Sequence, residues 1–233
     1  MSLTLYSGDL SPYSARVRMQ IYAKGITDIE IARPATFGTP QFRKDYPIGR
    51  IPVLEGDGEP MAESEVIAEY LEERYPEPSM LGATPRETAQ IRTLARIGDI
   101  YIMNNMFMLS PQSRADTRNQ GIVDLLGGQV VRNIKALDKL IGEDGFACSG
   151  RLTLADCAIV PGLFLVENVL PAGTDPQRRL PEDDGQGRRR HGRGGKRGGL
   201  APGGLLSAQR RRVTVPGPLT DRRPGPSGPR PDL

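Results

Sequence analysis

Residues 49–71 read GRIPVLEGDGEPMAESEVIAEYL, and the fold is decided by how that stretch divides. Ile51-Pro52-Val53-Leu54 is a short apolar run with strand character. Gly56-Asp57-Gly58 is a hairpin turn, and Pro60-Met61-Ala62 returns as a second strand. Ser64 then reads as a helix cap, with Val66, Ile67, Tyr70 and Leu71 at helical spacing and Pro76 and Pro78 beyond the end.

Toward the N-terminus the same grammar repeats with different elements. Leu3–Tyr6 is strand-like and ends in the turn Ser7-Gly8-Asp9. Ser11-Pro12 places an N-cap ahead of a proline at the first helical position, where its missing N–H costs nothing. Val17 and Ile21 mark the buried face of that helix, and Lys24-Gly25 stops it. Asp28–Ala32 is a further strand, followed by an irregular segment containing Gly38 and Pro40. Strand–helix–strand–irregular–strand–strand–helix within about 75 residues is an α/β unit.

Toward the C-terminus, Pro76–Pro85 is a linker and the pattern becomes helical. A long helix is expected over Arg86–Leu109, with Ile91, Leu94, Ile97 or Gly98, Tyr101 and Met106 on its stripe. A second is expected over Asp116–Ile141, although Gly127-Gly128 costs about 1 kcal/mol per glycine against alanine. Thr153 caps a third, with Asp156 reaching back and Leu152 stapling. Cys157–Val169 is so apolar that it should be a buried central helix, kinked at Pro161.

Composition then changes sharply. Residues 171–233 hold 14 of the 31 basic side chains against 6 of the 28 acidic ones, with 13 Gly and 10 Pro and no Phe, Tyr, Ile or Met. Too little apolar surface remains there to offset chain entropy, so a disordered tail is expected. The basic balance therefore describes the tail; residues 1–170 carry 17 basic against 22 acidic side chains. The tail lacks aromatics to stack on bases, which argues against nucleic acid. An abrupt switch to Arg, Gly, Pro and Ala is what a GC-rich gene yields out of frame, and a shifted reading frame is the expected origin.

The opening MSLTLYSGDL has no basic n-region and no long apolar run, which argues against a secretory signal. No stretch approaches the roughly 20 apolar residues of a membrane span. Cys148 and Cys157 are too few and too close for a disulfide framework, so a reducing, cytoplasmic compartment is expected. His191 is the single histidine, and no metal is expected.

Four segments carry a family resemblance: Ser-Pro-Tyr-Ser-Ala-Arg-Val-Arg (11–18), Gly-Arg-Ile-Pro-Val-Leu (49–54), Glu-Ser-Glu-Val-Ile-Ala-Glu-Tyr-Leu (63–71) and Leu-Thr-Leu-Ala-Asp (152–156). In order and spacing they resemble the successive signatures of glutathione transferases. The resemblance implies a thioredoxin-like α/β domain over 1–76 that binds glutathione as cosubstrate. It also implies an all-α C-terminal domain over 85–170, truncated relative to the family, ahead of the 171–233 tail. Ser11 stands where serine-type members, the tau and zeta classes, carry the hydroxyl that activates the glutathione thiol; Ser14 and Tyr6 are the competing hydroxyls. The zeta-type Ser-Ser-Cys is absent, Ser11-Pro12-Tyr13 standing instead. A serine cannot form a mixed disulfide, which disfavours thiol-transfer chemistry.

The match also makes Pro52 a cis-proline that presents the backbone of Ile51 to glutathione. Glu63 and Ser64 become the γ-glutamyl site, and Arg50 a ligand for the glycyl carboxylate, with Arg43 and Lys44 as further cations. Met103, Met106 and Phe107 fall where the family lines its second-substrate pocket, and flexible thioethers suit a promiscuous apolar site. Expected partners are glutathione and a small hydrophobic electrophile, with a homodimer if the helical domain folds, and no membrane. The competing expectation is a non-catalytic binding protein of the stringent-starvation type.

Overall fold

The computed structural model describes residues 2–56, 58–114 and 116–169. The first half builds β1 (Leu3–Tyr6), α1 (Pro12–Lys24), β2 (Ile29–Ala32), α2 (Pro40–Asp45), β3 (Val53–Glu55), β4 (Met61–Ala62) and α3 (Ser64–Arg74). These strands form one sheet in the order β2-β1-β3-β4. β1 runs parallel to β2, with Leu3 opposite Ile29 and Tyr6 opposite Ala32. β3 is antiparallel to β1, with Leu5 opposite Leu54, and β4 turns back along β3. Alternation along β1 sends Leu3 and Leu5 inward, where they meet Val17, Ile21, Ile67 and Leu71 from α1 and α3. This is the thioredoxin-like α/β arrangement that the sequence predicts.

Local chemistry fixes the ends of α1. Ser11 is its N-cap and Pro12 its first residue; at the other end Gly25 sits at φ 66°. The Gly25 amide donates to Tyr22 and the Ile26 amide to Ile21, a Schellman closure that only a left-handed residue permits. The segment expected to be irregular contains α2 instead. Thr39 caps it, accepting from the Phe42 amide, and Phe42 alone is buried. One buried side chain in six residues offers no period to read, though Thr39-Pro40 was a legible start signal. A second correction concerns Ser64, which is the first residue of α3 and not its cap: the cap position belongs to Glu63, at φ 69°.

Every regular element of the described second half is helical. α4 (Pro85–Ile97) is capped by Thr84 and continues into a π-helical turn over Gly98–Met103, then α5 (Asn104–Leu109) and a 3-10 turn over Ser110–Ser113. The helix expected over 86–109 is therefore one rod carrying a π turn. The extra residue of that turn leaves Tyr101 half exposed while Ile102 and Met103 are buried. α6 (Gln120–Asp138) starts four residues later than expected, at the Asn119 cap, and ends before Ile141. Its paired glycines are tolerated: Gly127 is buried, and Gly128 faces open space. α7 (Leu154–Val169) is the central helix, with Leu154, Ala155, Cys157 and Ile159 in the helical core.

Asp156 organises the start of α7. Its carboxylate accepts from the Thr153 amide and hydroxyl, both at 2.8 Å, and from the Ala147 amide at 2.7 Å. The Thr153 hydroxyl thus donates to Asp156, where the sequence had it accepting from an exposed amide. The expected tail over 171–233 lies outside the described residues. No described helix is long and apolar enough to cross a membrane.

Between the halves lies a buried charge cluster. Lys24 Nζ meets Glu72 Oε1 at 2.9 Å and donates to the carbonyls of Tyr75 (2.8 Å) and Pro78 (2.7 Å). Glu72 also accepts from the Met80 amide and the Gln20 amide group. Met80 in turn accepts from the Leu154 amide, and Arg151 donates to the carbonyl of Ser79. The connecting segment is thereby fixed to α1, α3 and α7 at once.

Removing one partner of a buried pair leaves an uncompensated charge. Glu72→Ala should therefore lose about 3–5 kcal/mol of unfolding free energy in urea; a loss under about 1 kcal/mol would show the cluster to be dispensable. Gly128→Ala should gain roughly 0.5–1 kcal/mol, because the added methyl meets nothing and helix propensity rises, which a thermal melt detects as a higher midpoint.

Candidate functional site

Two cavities adjoin along the seam between sheet and helices. The larger, about 590 Å³, lies between the β1–α1 loop and the end of α5, lined by Ser11, Tyr13, Arg33, Arg50, Ile51, Met106, Phe107 and Leu165 among others. The smaller, about 240 Å³, lies over the start of α3 and is polar, lined by Arg16, Arg50, Pro52, Glu63, Ser64, Arg96 and Asp99 among others. Tyr13, Arg50 and Ile51 line both, and so form the partition.

The partition has a definite construction. The Ile51–Pro52 bond is cis, and Ile51 leans on Gly8, where any Cβ would come within 2.6 Å of its Cδ1. A larger residue at position 8 would push that side chain into the cavity. The loop itself is braced by Arg18, which donates to Ser7 Oγ at 2.7 Å and to the carbonyls of Gly8 and Asp9.

Ser11 sits at the N-terminus of α1 with its Oγ accepting from the Ser14 amide at 3.2 Å. A hydroxyl that accepts through a lone pair keeps its proton to donate elsewhere. Its proton, the free amides of the first turn and the helix dipole all favour negative charge in the larger cavity. Ser14 is 0 % exposed and accepts from the Gly8 amide at 3.3 Å, so its hydroxyl belongs to the loop. Tyr6 lines neither cavity; its ring lies against Tyr46 at 6.0 Å, and burial with the Glu55 charge raises its pKa.

In the smaller cavity, Ser64 Oγ accepts from Arg16 at 3.3 Å at the N-terminus of α3. Glu63 and Ser64 thus stand together, backed by an arginine that pairs with Asp99 of the π turn. Arg16 is 4 % exposed, and its Nε has no hydrogen-bond partner among the described residues, which leaves a buried donor at the cavity. A ligand bearing both a carboxylate and an ammonium finds complementary groups here.

Of the residues predicted for an apolar pocket, Met106 and Phe107 do line the larger cavity. Met103 does not. It is 1 % exposed and packs against α7, its Sγ 2.9 Å from where a Cβ on Gly162 would lie. Sequence reasoning missed Tyr13, Arg16 and Asp99. Tyr13 stacks on Phe107 at 5.4 Å with planes 9° apart, and burial with the Asp99 charge raises its pKa, keeping the phenol protonated. Arg16 had a readable signal in the four-residue spacing Arg16, Gln20, Lys24, a polar row along a helix whose apolar row is Val17 and Ile21.

The fold, with a serine hydroxyl at one helix start and an acid–serine pair at another, is that of a thioredoxin-like α/β unit packed against helices. Residues 5–79 match the family model for the glutathione S-transferase N-terminal domain. The chain is 31% identical over 173 residues to a maleylacetoacetate isomerase of Pseudomonas aeruginosa, covering 71% of this chain and 82% of that one. It is 28% identical over 165 residues to a stringent starvation protein A homolog of Coxiella burnetii, covering 70% and 75%. Among solved structures, a glutathione S-transferase from Methylobacillus flagellatus with GSH bound superposes with TM-score 0.63 at 22% identity, covering 72% of this chain and 84% of that one. The chain belongs to the glutathione transferase family.

Neither cysteine enters the site. Burial pushes the Cys157 thiol up to about 12 and raises that of Cys148. Since the thiolate is the reactive form, a thiol reagent at pH 8 should leave Cys157 unmodified until denaturant is added; rapid native labelling would mean the helical core opens readily.

Proposed function

We propose that the protein is a glutathione-dependent transferase or isomerase in which Ser11 activates the glutathione thiol. The observation that carries this reading is the position of Ser11: its hydroxyl stands at a helix N-terminus in the cavity that Met106 and Phe107 also line. In this reading the unit over 1–76 binds glutathione and the helices over 85–170 supply the pocket for a small hydrophobic electrophile. Glu63 and Ser64 hold the γ-glutamyl end, Ile51 pairs with the cysteinyl backbone beside cis-Pro52, and Arg50 takes the glycyl carboxylate. The sulfur then lies at the α1 N-terminus, where Ser11 donates to the thiolate and lowers its pKa. Attack on the electrophile, or reversible addition during isomerisation, follows from a thiolate held beside an apolar cavity. The similarity to a maleylacetoacetate isomerase supports the isomerising variant. A cytoplasmic homodimer fits the family.

A second reading, a non-catalytic binding protein, draws support from the similarity to a stringent starvation protein A homolog. The paired Glu63 and Ser64 favour the first, since a scaffold has no use for an amino-acid site.

The decisive experiment titrates glutathione into the wild type and variants while following thiolate absorbance against pH. Ser11→Ala should still bind but with a raised thiol pKa, and turnover should fall on the order of a hundredfold, as when one donor to a developing anion is lost. Ser14→Ala should cost about 1 kcal/mol of stability and leave the thiol pKa where it was. If Ser14→Ala moves the thiol and Ser11→Ala does not, the roles are reversed. If the folded wild type binds no glutathione, the binding-protein reading replaces this one.

A further inference from the structure

Tyr13 is the one aromatic side chain that lines both cavities, and its ring has a neighbour from each half of the chain. Phe107 stacks on the ring at 5.4 Å, and the guanidinium carbon of Arg16 lies 6.0 Å from its centroid. Arg16 is held in turn by Asp99 and Ser64. A continuous column therefore runs from the start of α3, through Arg16 and Tyr13, to Phe107 at the wall of the larger cavity. The charges that act on the Tyr13 phenol are those of Asp99, Arg16, Arg50 and Glu63, all of which line the smaller cavity. Phe107 lines only the larger cavity.

From this column we infer that Tyr13 is a positioning residue that couples the two subsites, so that glutathione affinity depends on what packs at Phe107. The inference rests on the glutathione reading of the smaller cavity. Phe107 fixes the tilt of the Tyr13 ring, and the ring fixes both its own hydroxyl and the Arg16 guanidinium beside Ser64. An electrophile that settles against Phe107 then stiffens the glutathione site. By linkage, glutathione strengthens electrophile binding by the same factor. The column is physically continuous, and the coupling it carries is an energy shared between Phe107 and Tyr13. A double-mutant cycle measures it.

The test measures the glutathione dissociation constant by calorimetry for the wild type, Phe107→Leu, Tyr13→Leu and the double variant, with thermal midpoints to confirm folding. Phe107→Leu should weaken glutathione binding roughly two- to tenfold, the scale of one lost aromatic stack, although it lies outside the smaller cavity. Phe107→Tyr, which preserves the stack, should restore wild-type affinity. In the Tyr13→Leu background, Phe107→Leu should add no further loss. Unchanged affinity in Phe107→Leu overturns the inference, as does an equal loss in both backgrounds. A folded wild type that binds no glutathione removes the glutathione reading itself, an outcome distinct from binding without coupling.

Discussion

The ion pair between Lys24 and Glu72 is where the two halves of the chain become one body. It is fully enclosed, and its worth lies in geometry more than in charge attraction, because desolvating two ions costs several kcal/mol each before any pairing is counted. Lys24 reaches two carbonyls of the connecting segment as well as Glu72, and Glu72 holds the amide of Met80. Those bonds pin a proline-rich linker to the body of the protein through Met80, its one buried residue. The start of α7 docks against it through the Leu154 amide, and the helical core is built on α7.

That cluster is the far end of a row on α1. Arg16, Gln20 and Lys24 lie along one side of the helix, each buried and each paired across to α3 or the helical half. Val17 and Ile21 lie along the neighbouring side and face the sheet. The helix therefore has two working faces, an apolar one that builds the α/β half and a polar one that joins it to the other. The candidate site lies where the polar face reaches the N-terminal end of α1, so Arg16 both joins the two halves and lines the smaller cavity.

This division explains what the sequence revealed. Elements with clean signals were legible: the Ser11-Pro12 start and Gly25 stop of α1, the β3–β4 hairpin, and the cap around Thr153 and Asp156. The cis Ile51–Pro52 bond and the Glu63–Ser64 pair were legible through the family motif alone, since neither periodicity nor composition marks them. α2 was hidden because it buries one side chain. The π turn was hidden because it shifts a stripe by one residue without breaking it. Tyr13 and Asp99, unlike Arg16 with its four-residue polar row, were hidden for a common reason. Each takes its importance from a partner distant in the chain, and a polar residue buried by such a partner looks, in one dimension, like any solvated one. Met103 erred the other way, a thioether read as pocket lining that serves as ordinary core.

The π turn also has a geometric consequence for the rod that contains it. Asp99 and Phe107 are eight residues apart. In an unbroken α-helix that spacing rotates them about 80° away from each other. Unwinding the Gly98–Met103 stretch toward about 4.4 residues per turn takes most of that rotation back. Both side chains then face α1, where one meets Arg16 and the other Tyr13. The turn acts as a phase corrector, a single surplus residue that brings two contacts on one rod into alignment with two on another. Deleting one residue between Gly98 and Met103 would swing Phe107 away from Tyr13, so the length of this stretch, more than its composition, sets how that wall of the larger cavity is oriented.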